Sequence, residues 1–568
     1  MSQPARLPVV LLWHMHQPQY RDALTGQYVL PWTYLHAIKD YADMAAHLEA
    51  APSARAVVNF TPVLIEQLEE IAARICEHLQ SGAALPDPVL ALLGPAAVPQ
   101  EPTERLELLR ACLRAQRKNM IERFAAYFEL ATLAETFATA ERIGYASDQF
   151  MHDLAVWYHL AWLGETVRRT DPLVAALSAQ GRLFTTAHRR ELLALIGRVV
   201  GSIIPRFRAL RDAGRCELSL TPYAHPIVPL LFDFTAARQA QPTAQLPSHG
   251  PYPGGAERAA WHMREGIRVF TAAFGARPVG CWPSEGAISR ETLELIEKFE
   301  FRWAASSTNV LRASLLASSD ASRSFDDRDF NRPYRLDHAR LSCFFRDDEL
   351  SDLIGFSYAT WRGDDAAANL VHELSARARR LDAAAGHAVL IALDGENAWE
   401  HYPFNGYFFL NALYAALAAH PALELTTLSQ LTARGPSPAT LARIVAGSWV
   451  HGSLATWIGD AAKNAAWELL CEAKRAFDRT AFDGDAGRAQ RSAAERQLAL
   501  CESSDWFWWF GDYNPADAVT QFDRLYRRQL VNLYRILKIA PPEQLSRALS
   551  TGRGAPEHGG AMRRASAG

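Results

Sequence analysis

No two cysteines of this chain are close enough in sequence to form a CxxC pair; its seven stand at positions 76, 112, 216, 281, 343, 471 and 501. Such scatter argues against a zinc ribbon or a disulfide framework and fits a reducing compartment. Apolar runs of the ~18 residues that a membrane helix needs are also missing. The apolar stretch at residues 7–13 leads into His14 and His16 rather than a small-residue cleavage pattern, so no signal peptide is read and a soluble, cytoplasmic protein is expected. Charge of one sign is lacking as well. With 59 Lys and Arg against 62 Asp and Glu, the net charge of −3 offers no footprint for nucleic acid or for a membrane surface. No internal repeat is visible, which excludes a solenoid or propeller array. What remains is 568 residues, 49% hydrophobic and 21% charged, enough for a large barrel with attachments. Tryptophans crowd around Trp449 and Trp506 more densely than a core requires, and indoles stack well on sugar rings.

Strand signals recur along the first four hundred residues. Residues 7–13, 56–60, 216–220, 278–282, 301–305, 341–345 and 388–393 are short apolar runs, the mark of strands buried on both faces. Helical periodicity fills the gaps between them, as at residues 31–50, 256–274 and 366–384. Repeated strand–helix–strand units imply parallel strands with right-handed crossovers. Seven of them predict an α/β fold: an incomplete (β/α)7 TIM-like barrel over residues 1–404. A helical insertion is read at about 63–210. Residues 241–256, rich in Pro, Gly, Ser and Gln, form a long loop of the kind that is functional or disordered. After Asn405 only helices are legible, giving an α-helical C-terminal region at 405–547 that contributes to a substrate cleft. Residues 548–568 are expected to be a disordered tail.

Two acids stand directly after strands, where barrels assemble their sites. Asp394 ends the run 388–393, and Glu285 follows the strand that ends at Trp282. Paired carboxylates are the minimum equipment for glycoside hydrolysis. The blander readings are a helix-dipole acid for Glu285 and an N-cap for Asp394. Against the second, Asp394, Glu396 and Glu400 crowd three acids together beside Trp399, which raises at least one pKa. His14 and His16, two apart at a strand end, share one face with Gln17 close by. They serve either as metal ligands, with His225 and Asp394 completing a set, or as hydrogen-bond partners of sugar hydroxyls. Glu217, within the third strand, is read either as a rim salt bridge or as a mouth residue beside His225. Residues 505–512, Asp-Trp-Phe-Trp-Trp-Phe-Gly-Asp, read as buried packing between barrel and helices.

Taken in order, His14-Met15-His16-Gln17-Pro18, Cys216-Glu217-Leu218 with His225-Pro226, Cys281-Trp282-Pro283-Ser284-Glu285-Gly286, Leu393-Asp394-Gly395-Glu396-Asn397-Ala398-Trp399, and Gly447-Ser448-Trp449 through Trp457-Ile458-Gly459-Asp460 resemble the five motifs of glycoside hydrolase family 57. The resemblance covers roughly residues 7–540. It implies a retaining enzyme acting on α-glucans or maltooligosaccharides, with no metal or other cofactor in the chemistry. It assigns Glu285 as nucleophile and Asp394 as acid/base. His14, His16, Gln17, Glu217, His225 and Trp282 match positions near the cleaved sugar, and Trp449, His451, Trp457 and Asp460 fall in the fifth motif. Glu396 and Trp399 join the substrate-binding candidates. The fourth motif looks most like the amylase and amylopullulanase branch. Ser306-Ser307-Thr308 stands where that branch tends to carry acids, so a different sugar or chain end is expected at the fifth strand's mouth.

The resulting expectation is a retaining α-glucan hydrolase, with a 4-α-glucanotransferase or branching enzyme using the same acids as the nearest alternative. A metal-dependent hydrolase built on His14 and His16 is a second, and a non-catalytic glucan-binding protein a third. Oligomeric state leaves no trace in the sequence.

Overall fold

The computed structural model describes residues 6–248, 250–318, 324–554 and 562. Among these residues ten strands form one sheet: β1 (Leu7–Met15), β2 (Ala56–Phe60), β3 (Cys216–Leu220), β4 (Gly280–Cys281), β5 (Trp303–Ser307), β6 (Tyr334–Leu336), β7 (Ser342–Arg346), β8 (Val389–Asp394), β9 (Leu423–Leu425) and β10 (Ala439–Leu441). β1, β2, β3, β4, β5, β7 and β8 pair in that order, all parallel, and β8 returns to β1. These are the seven strands read from the apolar runs. The ring closes loosely between β7 and β8, where Arg346 and Leu390 are the one registered pair.

Register places the C-terminal ends of the central strands side by side. His14 lies opposite Asn59 on one flank and Asp394 on the other, and Asn59 opposite Ser219. One rung thus lines up four polar side chains from β3, β2, β1 and β8 at the barrel's mouth, where successive loops converge.

The insertion is helical throughout, as periodicity predicts. Its helix Pro62–Ser81 begins with Pro at the first turn and stops at Gly82, whose φ of 76° suits glycine alone. The helix Thr186–Asp212 lies against it, and Gly197 permits the approach: a Cβ there would stand 2.7 Å from Cγ2 of Ile75.

Two expectations are corrected. The pattern predicts no strand after Asn405, yet β9 pairs with β1 and β10 with β6. Three residues are too few to show a period in sequence. Within the loop 241–256, Ser248 donates to Glu468 and Tyr252 to Glu502. The start of the expected tail is docked: Leu549 N donates to Asp523, Gly511 N to Ser550, and Arg553 N to the Asp512 carbonyl. Residues 555–561 and 563–568 lie outside the described residues.

Among the described residues, no helix is long and apolar enough to cross a membrane. Gly280 in β4 lies flat against the Trp303 indole of β5, and a Cβ there would sit 1.7 Å from Cε2. Gly280→Ala is therefore expected to lower stability by about 1–3 kcal/mol, the usual cost of overpacking; an unchanged melting temperature would contradict this packing.

Candidate active site

A cavity of ≈ 920 Å³ opens at the mouth of the barrel. His14, His16, Gln17, His225, Glu285, Asp394, Glu396 and Trp449 all reach its wall. The insertion adds Arg110, Arg114 and Trp162, and the C-terminal helices add Asp505, Trp508, Trp509 and Phe522.

The end of β1 supplies His14, and the residue just past it His16. Nδ1 of His14 donates to Oδ1 of Asn59 at 2.6 Å. Burial first, then the neighbouring His16, pushes His14 down to about 3, so its ring is neutral and Nε2 is left as an acceptor. His225 Nε2 faces it at 3.1 Å, and His225 Nδ1 lies 2.8 Å from Ser504 Oγ. Ser504 Oγ is in turn 3.4 Å from Oε1 of Glu285. A continuous line of close polar contacts thus runs from Asn59 to Glu285. His16 stacks on His225 with ring centroids 3.8 Å apart, and its Nε2 pairs with Asp505 at 2.9 Å.

Glu285 and His225 both have left-handed backbones, with φ of 58° and 60°. Such strain persists in non-glycine residues only where the surroundings over-determine it. At Glu285 those surroundings are the fifth motif. Ile288 and Gly447 exchange backbone hydrogen bonds of 2.9 and 3.1 Å, and Trp449 N donates to the Glu285 carbonyl at 3.0 Å. Trp449 Nε1 then donates to Oε2 of Glu285 at 2.8 Å. Trp282 packs edge-on against Trp449 at 5.2 Å, and the Arg346 guanidinium sits over the other indole at 4.9 Å.

Asp394 closes β8. Its Oδ2 accepts from Asn397 Nδ2 at 2.8 Å. Gly395 follows because a Cβ would stand 2.2 Å from the Met15 sulfur. Glu396 turns beneath β1, where Oε1 accepts from His16 N at 3.1 Å and Gln17 Nε2 at 3.3 Å.

Burial, then the charge of Asp394, raises Glu285 to about 8, against the donors Trp449 and Ser504. Burial raises Asp394 to about 6, opposed by Asn397, His16 and Arg346. Glu396 is pushed far above the carboxylate range by burial and by Asp394.

Several predicted residues lie elsewhere. Glu217 is the second residue of β3 and so sits toward the barrel's opposite end, accepting from Trp303 Nε1 at 2.6 Å and Ser429 N at 2.9 Å. Trp399 is buried against Trp13 and donates to the Gly395 carbonyl at 2.9 Å, shaping the Asp394 loop from behind. Trp282 is fully buried behind Trp449. Trp457 is buried beside Trp508, Asp460 caps the helix Ala461–Arg479, and His451 is exposed at a left-handed turn. Ser306, Ser307 and Thr308 do not reach the cavity; their hydroxyls donate to the carbonyls of Gly286, Ser448 and Arg346. They fasten loops behind the site.

Asp505 and Ser504 are the residues that sequence reasoning missed. The aromatic run after them reads as core, and Trp506 and Phe507 are indeed fully buried. The polar Ser503-Ser504-Asp505 before that run was the available signal. His16, His225 and Asp505 are the described set whose donor atoms come within 4.8 Å of one another.

A raised carboxyl stabilises the fold fully below its unfolded value and loses that contribution as pH climbs through its folded value, here from about 4.5 to about 8 for Glu285. Glu285→Gln is therefore expected to raise the melting temperature at pH 8 more than at pH 5. Equal shifts at both would show that Glu285 does not hold its proton.

The description "glycosyl hydrolase family 57" belongs to the family model that matches residues 10–442. No curated protein sequence matches the chain. Among solved structures, a GH57 branching enzyme from Thermococcus kodakaraensis aligns with a TM-score of 0.58 at 16% identity, over 93% of this chain and 90% of its own. A GH57-type branching enzyme from Pyrococcus horikoshii gives 0.57 at 16%, covering 95% and 96%. The alpha-amylase AmyC from Thermotoga maritima gives 0.56 at 14%, covering 94% of each. The family match takes in every barrel strand that carries a polar residue to the cavity, and with it the chain belongs to glycosyl hydrolase family 57.

Proposed function

We propose that the chain is a retaining α-glucan glycosidase in which Glu285 attacks the anomeric carbon and Asp394 protonates the leaving oxygen. The observation that carries this reading is the meeting of both carboxyls, from β8 and from the turn after β4, in one cavity walled by indoles. Trp449, Trp508 and Trp509 offer the flat apolar faces that sugar rings stack on.

The chemistry follows in two steps. Glu285 forms a bond to the anomeric carbon as the glycosidic bond breaks, and the Asp394 proton passes to the departing oxygen. Asp394, now ionised, takes a proton from the incoming water or sugar hydroxyl, whose oxygen displaces Glu285 with net retention. The pair's last proton is held more firmly at Glu285 than at Asp394. Positive charge developing at the anomeric carbon favours ionised Glu285, which the Trp449 donor already supports, and so moves the proton toward Asp394. His14, His16, Gln17, His225, Glu396 and Asp505 supply hydrogen bonds to sugar hydroxyls. The amylase-like fourth motif favours α-1,4 bonds and hydrolysis, and the free state of all seven cysteines fits a cytoplasmic enzyme.

Because the two acids share a field, their titrations belong to the pair. The pair carries one proton between about pH 6 and about pH 8. A bell-shaped kcat/KM with limbs near those values is expected on maltoheptaose, and a profile flat across that range would contradict the assignment.

Products from maltoheptaose, glycogen and pullulan, made in the presence of chelator, test the function directly. Short maltooligosaccharides of retained configuration are expected from wild type, with Glu285→Gln and Asp394→Asn slower by at least about 100-fold. Longer chains or new branch points would make the acceptor a glucan hydroxyl and the enzyme a transferase. Loss of activity only with chelator would favour a metal-dependent reaction, and no turnover on any of the three a binding protein.

A further inference from the structure

Glu502 lies just before the segment that brings Ser504 and Asp505 to the cavity, and it is wholly buried. Its oxygens accept from Arg258 Nε and Nη2 at 2.8 Å each, from His262 Nε2 at 2.7 Å and from Tyr252 OH at 2.5 Å. Burial opposes its charge, but Arg258 and His262 outweigh that and hold it at about 2. Both partners stand on the helix Gly255–Phe274, and Tyr252 belongs to the long loop leading into it.

The same helix supports the other side of the site. His262 Nδ1 accepts from Ala224 N at 3.3 Å, and its carbonyl accepts from Tyr223 N at 3.1 Å. Those residues lead directly into the strained His225. The circuit closes on the cavity side, where Ser504 N donates to the His225 carbonyl at 2.9 Å and Ser504 Oγ meets both His225 Nδ1 and Glu285 Oε1.

We propose that Glu502 is a positioning residue for the reaction: anchored to Arg258 and His262, it fixes Ser504 against His225 and Glu285, so that the C-terminal helices complete a site that the barrel alone leaves open. This rests on the glycosidase reading above. A charged, fully paired anchor is costly to break because the freed partners remain buried, so the segment it holds has one position. The neighbouring Arg496–Glu265 ion pair also joins the helices Gly484–Cys501 and Gly255–Phe274, but it is more exposed, and it meets the His225 segment only at the outer Tyr223 hydroxyl, to which Arg496 donates, with no contact to Ser504. It serves as the control.

The test compares Glu502→Gln with Glu265→Gln, each also combined with Ser504→Ala, by kcat and KM on maltoheptaose and by near-ultraviolet circular dichroism. Glu502→Gln is expected to stay folded and lose about tenfold or more in kcat with KM changed by no more than about twofold, as misplaced groups do. Its loss and that of Ser504→Ala should multiply to less than their product. Glu265→Gln should lower the melting temperature with kcat little changed. Independent, fully multiplying losses, or an equal kcat loss in Glu265→Gln, would overturn the proposal. Should Glu502→Gln not fold, Arg258→Lys, which keeps the charge but loses the fork, is read in the same way. If wild type turns over no α-glucan, the glycosidase reading itself has failed. Calorimetric binding of maltoheptaose then decides the positioning role, which is upheld by affinity lost in Glu502→Gln and kept in Glu265→Gln, and overturned by equal affinities.

Discussion

The repulsion between Glu285 and Asp394, in a cavity where burial has weakened the screening of charge, is the interaction on which the rest of the site depends. Burial raises both acids, and the field of Asp394 raises Glu285 further. Two such groups hold one proton between them over the neutral range. A glycosidase of the proposed kind needs that state, with one carboxyl able to attack and the other able to donate.

Holding two acids in this relation takes support from every part of the chain. The barrel's register sets Asp394 beside His14 and His14 beside Asn59. Gly395 lets β8 turn against Met15. The fifth motif clamps the strained Glu285 turn by a backbone bridge and an indole hydrogen bond. Ser306, Ser307 and Thr308 fasten the carbonyls behind that turn. From the opposite end of the sequence comes the Ser504–Asp505 segment, anchored through Glu502. The neutral histidines between them stay uncharged because burial drives His14 and His225 down.

Apolar runs made the seven barrel strands legible, since a strand buried on both faces leaves a continuous signature. β6, β9 and β10 left none, being three residues each. Glu285 and Asp394 were legible for a related reason: an acid that interrupts an apolar strand at its end has nowhere to go but the mouth. Glu217 shows the limit of that logic. It lies near the start of its strand rather than its end, and that offset puts it among Trp303 and Ser429. Trp399 and Trp457 stand among the substrate-binding candidates, yet both are buried, since a sequence pattern does not separate an indole facing a cleft from one packed behind it. Asp505 was missed for the mirror-image reason, a polar residue hidden at the head of an aromatic run. Its role depends on contacts across several hundred residues, such as that with His16, which no local pattern encodes.

The central claim is that Glu285 becomes covalently bonded to the sugar, and trapping tests it most directly. Wild type would be incubated with 5-fluoro-α-glucosyl fluoride, whose ring fluorine slows breakdown of a glycosyl–enzyme ester, and the labelled peptide then sequenced by mass spectrometry. The account predicts one added fluoroglucosyl group, on Glu285, accumulating faster than it hydrolyses. A label on Asp394 or Asp505, or turnover of the reagent with inverted product and no adduct, would contradict it.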